Sequence, residues 1–350
     1  MKAARLHEVG GALRVEEVAD PEPRPGAAIV RVEAVFVSPS MTELFASETV
    51  ALPPRPFIPG ANAVGVVESV AGDASGLAPG ARVYCDGFHY TRRAADFDDS
   101  CFIGTFGVGA QAAGLQREWR DGSMAEKVVL PARCLTPLGA ASGLDPALLC
   151  RAGWFGTAFA GIRKLGPLDG RTLLVNGASG LVGSGAVLLA LALGAARIVA
   201  VGRQAGALDA LVALDPERVV ASRPDGEALG RVLPDGRADL MVDALGGTSD
   251  LSSTELCLAR LARGGKAVLI GAPMGAVSLD YWWMMLNDIT VMGSLWFEAS
   301  EARELFDMIG GGALDTGAVE VARYPLDEAN AALAAAAERP GGLRHVAVCP

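Results

Sequence analysis

Apolar positions recur along this chain in two different rhythms. Up to about residue 140 they form short alternating or β-branched runs broken by Gly and Pro. Residues 27–35, 63–70, 78–84 and 124–130 read as strands, and this spacing predicts a compact, mostly antiparallel, barrel-like unit. From about 145 to 297 longer apolar helical stretches alternate with short strands at 173–176, 197–201, 238–245, 266–271 and 289–295. That alternation is the signature of a doubly wound α/β parallel sheet. Past residue 300 the pattern predicts a helix over 301–309, a strand over 319–326, an Ala-rich helix and a last strand at 345–348. This tail is expected to pack back onto the first unit. The resulting division is 1–147 with 298–350 for the antiparallel unit and 148–297 for the parallel one.

The stretch with most chemical content is Leu173 to Gly183, LLVNGASGLVG. A buried strand runs into a tight turn of small residues and then an apolar helix. Ala178, Gly180 and Gly183 give an A-x-G-x-x-G spacing, which lets backbone approach phosphates without a Cβ clash and lets the helix lie close to the strand. Such a turn holds a pyrophosphate on backbone N–H groups at a helix N-terminus. The next strand ends in Gly202-Arg203, about 20 residues on, where a dinucleotide site contacts the adenosine ribose. An acid at that place accepts from the ribose hydroxyls and repels a 2′-phosphate. A glycine leaves room for the phosphate, and an arginine can pair with it. The expected cofactor is therefore NADPH.

Composition narrows the partners. Lys and Arg number 30 against 40 Asp and Glu, a net charge of −10, which argues against nucleic acid or an anionic membrane surface. The six cysteines, at 85, 101, 134, 150, 257 and 349, show no CxxC spacing and no disulfide framework. Cytoplasmic placement is expected, with an N-terminus that reads as a strand rather than a secretory signal. Residues 181–201 are apolar enough to suggest a membrane span, yet Gly194-Ala195-Ala196 breaks them into the helix and strand of a buried βαβ unit. The run Tyr281-Trp282-Trp283-Met284-Met285-Leu286 is an apolar patch that a monomer would struggle to expose.

Taken whole, the chain resembles the medium-chain dehydrogenase/reductase superfamily. The resemblance rests on Pro59-Gly60-Ala61-Asn62-Ala63-Val64-Gly65-Val66-Val67-Glu68, on Leu77 to Val83, on Asp121-Gly122-Ser123-Met124-Ala125-Glu126, on the glycine turn, and on Val242-Asp243-Ala244-Leu245-Gly246-Gly247. It implies a Rossmann unit joined to a GroES-like catalytic unit. It also implies cofactor contacts from Thr157, Ala178, Ser179, Gly180, Leu181, Val182, Gly183, Gly202, Arg203, Ala244, Leu245, Gly271, Ala272, Leu295 and Trp296. The same likeness implies a homodimer through the sheet edge near 281–295.

The chain departs from the zinc-dependent members. Where they carry a Cys ligand it has Ser38, and where they carry Gly-His-Glu it has Gly60-Ala61-Asn62. A third ligand is expected four residues before Thr157, which is Gly153; Cys150 lies one turn too early. The four-Cys structural lobe is replaced by residues 88–119, with Cys101 alone. Zinc needs about three protein ligands, so the expectation is no metal and a likeness to the zinc-free quinone and enoyl reductases.

Without a Lewis acid, carbonyl–alcohol interconversion loses its main assistance. Hydride addition to a C=C bond conjugated with a carbonyl needs less, because a few donors can stabilise the enolate and a weak acid or water can protonate the α-carbon. The leading expectation is NADPH-dependent reduction of such a bond, with a short branched enoyl-CoA as one substrate. Quinone reduction, cofactor binding without turnover, and alcohol dehydrogenation are the alternatives. Candidate catalytic groups are Ser40, Asn62, Tyr84 and His89; Ser38, Phe88, Tyr90, Trp154 and Trp296 are expected to line the substrate pocket. Arg92-Arg93 and the pair Arg117 and Arg120 could meet the phosphates of a CoA carrier or stand solvated.

Overall fold

The structure is a computed structural model and describes residues 1–47, 49–73, 76–90, 100–109 and 112–350. Arg92 and Arg93 lie outside the described residues. Two sheets dominate. In the six-stranded sheet every neighbouring pair is parallel, in the order Val219–Ser222, Arg197–Val201, Thr172–Asn176, Ala238–Asp243, Leu261–Leu269, Thr290–Gly293. Numbered along the chain that is 3-2-1-4-5-6, the dinucleotide-binding order, with its switch point beside the first strand. The first strand is buried at every position, because helices cover both faces of a parallel sheet.

The seven-stranded sheet follows the path Leu135–Pro137, Arg82–Cys85, Ala63–Ala71, Ala27–Val37, Arg344–Cys349, Glu320–Pro325, and Lys127–Pro131 also pairs with Ala27–Val37. This is the GroES-like part of the fold. The last two strands are parallel to each other, and Arg344–Cys349 is antiparallel to Ala27–Val37, so strands of the tail join the sheet built by the first residues. Its helix Ala299–Gly310 instead packs on the helix Ala152–Leu165 and the turn Gly139–Gly143.

The helix Ala152–Leu165 is buried nearly all round. One hydrophobic cluster runs through it, from Phe36, Val64 and Tyr84 of one sheet to Leu173, Val175 and Val268 of the other. Gly156 makes this possible, since a Cβ there would stand 2.6 Å from the Phe297 ring.

Some elements differ from the sequence reading. The strand expected at 266–271 begins at Leu261, because its register with Ala238–Asp243 shifts between Ala238 and Leu240 and Gly264-Gly265 absorb the bulge. The strand expected to reach 245 stops at Asp243, whose carboxylate accepts from the Leu245 backbone N–H at 3.1 Å and turns the chain out of the sheet. In place of the four-Cys lobe stands a small antiparallel meander, Phe88–Tyr90, Ser100–Phe102 and Phe106–Val108, followed by the helix Ala112–Glu118. Among the described residues no helix is long and apolar enough to cross a membrane; residues 181–201 form the helix Leu181–Ala192 and the strand Arg197–Val201.

Candidate functional site

The glycine turn is built from close approaches. Gly177 has φ +75°, and the Gly180 N–H returns to its carbonyl at 3.0 Å. A Cβ on Gly183 would lie 2.2 Å from the Gly177 oxygen, so only glycine lets the helix Leu181–Ala192 start flush against the turn. The result is a helix N-terminus facing open space at the strand C-terminal edge, an anion cradle by geometry and dipole.

That space is a cavity of about 460 Å³. Of the residues singled out in the sequence, Ser179, Gly180, Leu181, Gly202, Arg203, Ala244 and Leu245 line it. Ala178 is buried behind the turn, its N–H bonded to the Val201 oxygen at 2.9 Å. Thr157 is also buried, with its hydroxyl committed to the Gly153 carbonyl at 2.8 Å. Neither these two nor Val182, Gly183, Gly271, Ala272, Leu295 and Trp296 are among the lining residues.

The cavity wall includes residues the sequence reading passed over: Gln204, Thr248, Asp250, Arg339, Arg344 and His345. Arg339 spans the mouth. Its backbone sits at φ +51°, its Nη2 donates to Glu43 at 2.9 Å, and its Nη1 lies where a Cβ on Gly247 would come within 2.6 Å. Arg344 and His345 belong to the C-terminal strand, whose sequence pattern marks it only as a strand. Beneath the turn, Asp243 is held by Asn176 at 3.1 Å and Thr254 at 2.7 Å, and burial raises its carboxyl above the usual range.

The residues expected at the substrate pocket fall into separate local contacts. Tyr84 is fully buried and donates its hydroxyl to the Asn62 side-chain oxygen at 2.5 Å. Burial pushes the phenol well above its usual pKa, so it stays protonated. Both atoms crowd Gly153, where a Cβ would meet Asn62 Oδ1 at 2.3 Å and the Tyr84 oxygen at 2.8 Å. Ser38 and Ser40 share a hydrogen bond at 3.0 Å, and Ser40 is exposed at the start of the helix Met41–Phe45. Cys150 points away, its thiol on the Ala147 oxygen at 3.2 Å.

Aromatic rings close the far side. Trp296 stacks on Phe297 at 4.8 Å, meets Phe102 edge-on at 4.8 Å, and has Phe88 at 6.2 Å. Trp154 lies 5.7 Å from Phe36. The indole N–H groups of both tryptophans are buried, with no partner among the described residues. His89 is buried against Trp119 rather than open to a pocket mouth, and burial lowers it to about 4, so it is neutral. Tyr90 lies under the Arg133 guanidinium, 3.6 Å away. Arg120 is paired with Asp121 at 2.8 Å, and Arg117 faces a separate depression with Val9, Pro53 and Arg55. Among the described residues no group of three or more His, Cys, Asp or Glu could hold a metal ion.

Comparison with known proteins agrees with this architecture. The family description "Alcohol dehydrogenase GroES-like domain" matches residues 24–140, and "Zinc-binding dehydrogenase" matches residues 182–310. An alcohol dehydrogenase from Moraxella sp. is 28% identical over 94% of both chains. A quinone oxidoreductase from Rattus norvegicus is 24% identical over 94% of this chain and 92% of its own. Among solved structures, a protein described as a zinc-binding dehydrogenase from Sinorhizobium meliloti, bound to NADP, superposes with a TM-score of 0.80 at 23% identity, covering 100% of this chain and 99% of its own.

Proposed function

Since the chain belongs to the medium-chain dehydrogenase/reductase superfamily and is on that ground an oxidoreductase, we propose that it reduces a carbon–carbon double bond conjugated with a carbonyl, using NADPH and no catalytic zinc. The observation that carries this reading is the contact of Tyr84 with Asn62 above Gly153. The places that family resemblance gives to a Cys and a His ligand hold Ser38 and Ala61. The third is a glycine whose missing Cβ is replaced by an amide oxygen and a phenol. Neutral Ser and Ala side chains are not zinc donors, so the residues present do not fit the metal and no step runs through it.

The dinucleotide does fit. Backbone N–H groups at Ser179 and Leu181, beside a Gly180 N–H already turned back on Gly177, would receive the diphosphate. Gly202 and Arg203 at the cavity wall would receive the 2′-phosphate. When bound, NADPH supplies a hydride.

This chain's own residues then bind and polarise. With Oδ1 committed to Tyr84, Asn62 presents its amide N–H, and Tyr84 acts as its positioning residue rather than as a free acid. The unpartnered indole N–H of Trp296 and the Ser40 hydroxyl are further donors for an enolate oxygen. Phe88, Phe102 and Phe297 around Trp296 exclude water from an apolar substrate.

Turnover of enone, enoyl thioester, quinone and aldehyde panels with NADPH tests the reading; activity confined to aldehydes overturns it. Quinone reduction is the second reading, favoured by the near full-length similarity to the rat quinone oxidoreductase. We also propose that two copies pair through the edge strand Thr290–Gly293 and the helix Tyr281–Leu286, on which Tyr281 is 79% and Trp282 64% exposed.

A further inference from the structure

Among the described residues Arg151 is the largest fully buried side chain. It stands just before the helix Ala152–Leu165, and among the described residues no carboxylate lies within ion-pair distance of it. Its Nη2 donates to the Leu181 carbonyl at 2.8 Å and to the Ser184 hydroxyl at 2.8 Å. Ser184 passes its own proton on to the Gly342 carbonyl at 2.6 Å. Nε and Nη1 have no hydrogen-bond partner among the described residues. Phe155 offers the cation only an aromatic ring, 5.0 Å from the guanidinium carbon.

A lone buried charge of this kind is costly to keep. Burial pushes the guanidinium down to about 9, which still leaves it charged at neutral pH. The neighbouring ionisable groups do not compensate. His345 donates Nε2–H to the Ala147 carbonyl at 2.8 Å, its Nδ1 is unpartnered, and burial with Arg151 nearby lowers it to about 3, so it is neutral. The Cys150 thiol is pushed well up by burial and stays protonated.

The position of the charge gives it a purpose. Leu181 opens the helix whose N-terminus faces the cavity, and Gly342 leads into the strand that carries Arg344 and His345 to the opposite wall. The guanidinium thus ties together the two walls of the anion cradle, one helical turn behind it. We infer that Arg151 is the internal counter-charge for the diphosphate of the bound dinucleotide, a positioning residue that acts through the first turn of the helix rather than by touching the ligand. This rests on the reading that the cavity takes a dinucleotide. Low permittivity between the two makes the attraction stronger than a solvated pair at equal distance, and it adds to the helix N-terminus instead of competing with it.

The experiment measures affinity by calorimetry for NADP and for adenosine 2′-monophosphate, which keeps the 2′-phosphate and lacks the diphosphate. Arg151→Met is expected to weaken NADP by roughly tenfold or more, and adenosine 2′-monophosphate by less than about twofold. Arg151→Lys, which restores the charge, is expected to recover most of the loss. Arg151→Met binding NADP as tightly as the parent, or losing both ligands alike, overturns the inference.

Should Arg151→Met not fold, the unaltered protein with 15N-labelled arginine gives the second readout. The Arg151 guanidinium signal, assigned by its loss in Arg151→Lys, is expected to shift on saturation with NADP and to stay in place with adenosine 2′-monophosphate; an unmoved signal with NADP overturns the inference. An unaltered protein that binds no NADP overturns the cofactor reading itself, a result separate from either of these.

Discussion

The Tyr84 hydroxyl sits 2.5 Å from the Asn62 side-chain oxygen, directly above a glycine at 153 that has no room for a Cβ. Two polar side chains thus fill the space that a side chain at 153 would need. The protein as purified is expected to carry substoichiometric zinc by elemental analysis, and its turnover is expected to survive a strong chelator. A stoichiometric, chelator-sensitive zinc would remove the basis of the proposed chemistry. Tyr84→Phe frees the amide to rotate and is expected to lower kcat/KM by about tenfold while leaving NADPH affinity unchanged, since it removes one positioning hydrogen bond worth about 1–1.5 kcal/mol.

Arg203 follows a glycine at the end of the second strand and faces the cavity. Replacing it with alanine removes a charge-assisted contact to a 2′-phosphate, worth about 1.5–3 kcal/mol. Affinity for NADPH is expected to drop by one to two orders of magnitude and that for NADH to hold. Titration of both nucleotides by fluorescence decides it, and equal losses would mean that Arg203 does not read the phosphate.

Gly183→Ala forces a methyl group to within 2.2 Å of the Gly177 oxygen. The helix must move off the turn, at a cost of about 1–3 kcal/mol. A lowered urea midpoint together with weakened nucleotide binding is the expected pair of effects; a loss of stability alone would show that the cradle tolerates the shift.

Asp86 is buried, accepts from the Phe88 N–H at 2.6 Å, and is raised by burial to about 8. Because the folded protein holds this proton more tightly than the unfolded chain, its contribution is greatest below pH 4, declines as pH rises, and is gone above pH 8. Asp86→Asn, which cannot ionise, is expected to flatten denaturation midpoints between pH 4 and 8 and to be the more stable protein at pH 9, by on the order of 2 kcal/mol. Parallel pH profiles for the two proteins would contradict this.

On the helix Tyr281–Leu286 the exposed tryptophan 282 stands beside an unpaired strand edge. Trp282→Glu is expected to convert a dimer into a monomer in light scattering at micromolar concentration. A parent protein that is already monomeric would refute the pairing.

Much of this architecture was legible because it depends on local pattern. The turn from Gly177 to Gly183 announces itself through small residues between an apolar strand and an apolar helix, and both flanking strands fall where alternation placed them. Val219–Ser222 was missed since four residues, two of them only half buried, carry too little periodicity. The lining residues Arg339, Arg344 and His345 were illegible for a different reason. They reach the cavity only because the tail crosses back over the molecule, and nothing local in RPGGLRHV marks that route. Arg151 likewise reads as a surface charge until the fold buries it. His89 and Tyr84 were expected to border a pocket; burial, which no single position reveals, leaves His89 neutral against Trp119 and keeps the Tyr84 phenol protonated on Asn62.

The strand Arg344–Cys349 is the second-last in its sheet path and sets Val346 opposite Val37. A ribosome therefore releases the nucleotide-binding layer, whose last strand ends at Gly293, well before the other layer has its full set of strands. Until residues 346–348 emerge, positions 35–37 of the strand Ala27–Val37 lack their neighbour on that side, and a nascent chain in that state is exposed to mispairing. Completion of this sheet thus waits on residues 344–349, and their removal is expected to act on folding before it acts on catalysis.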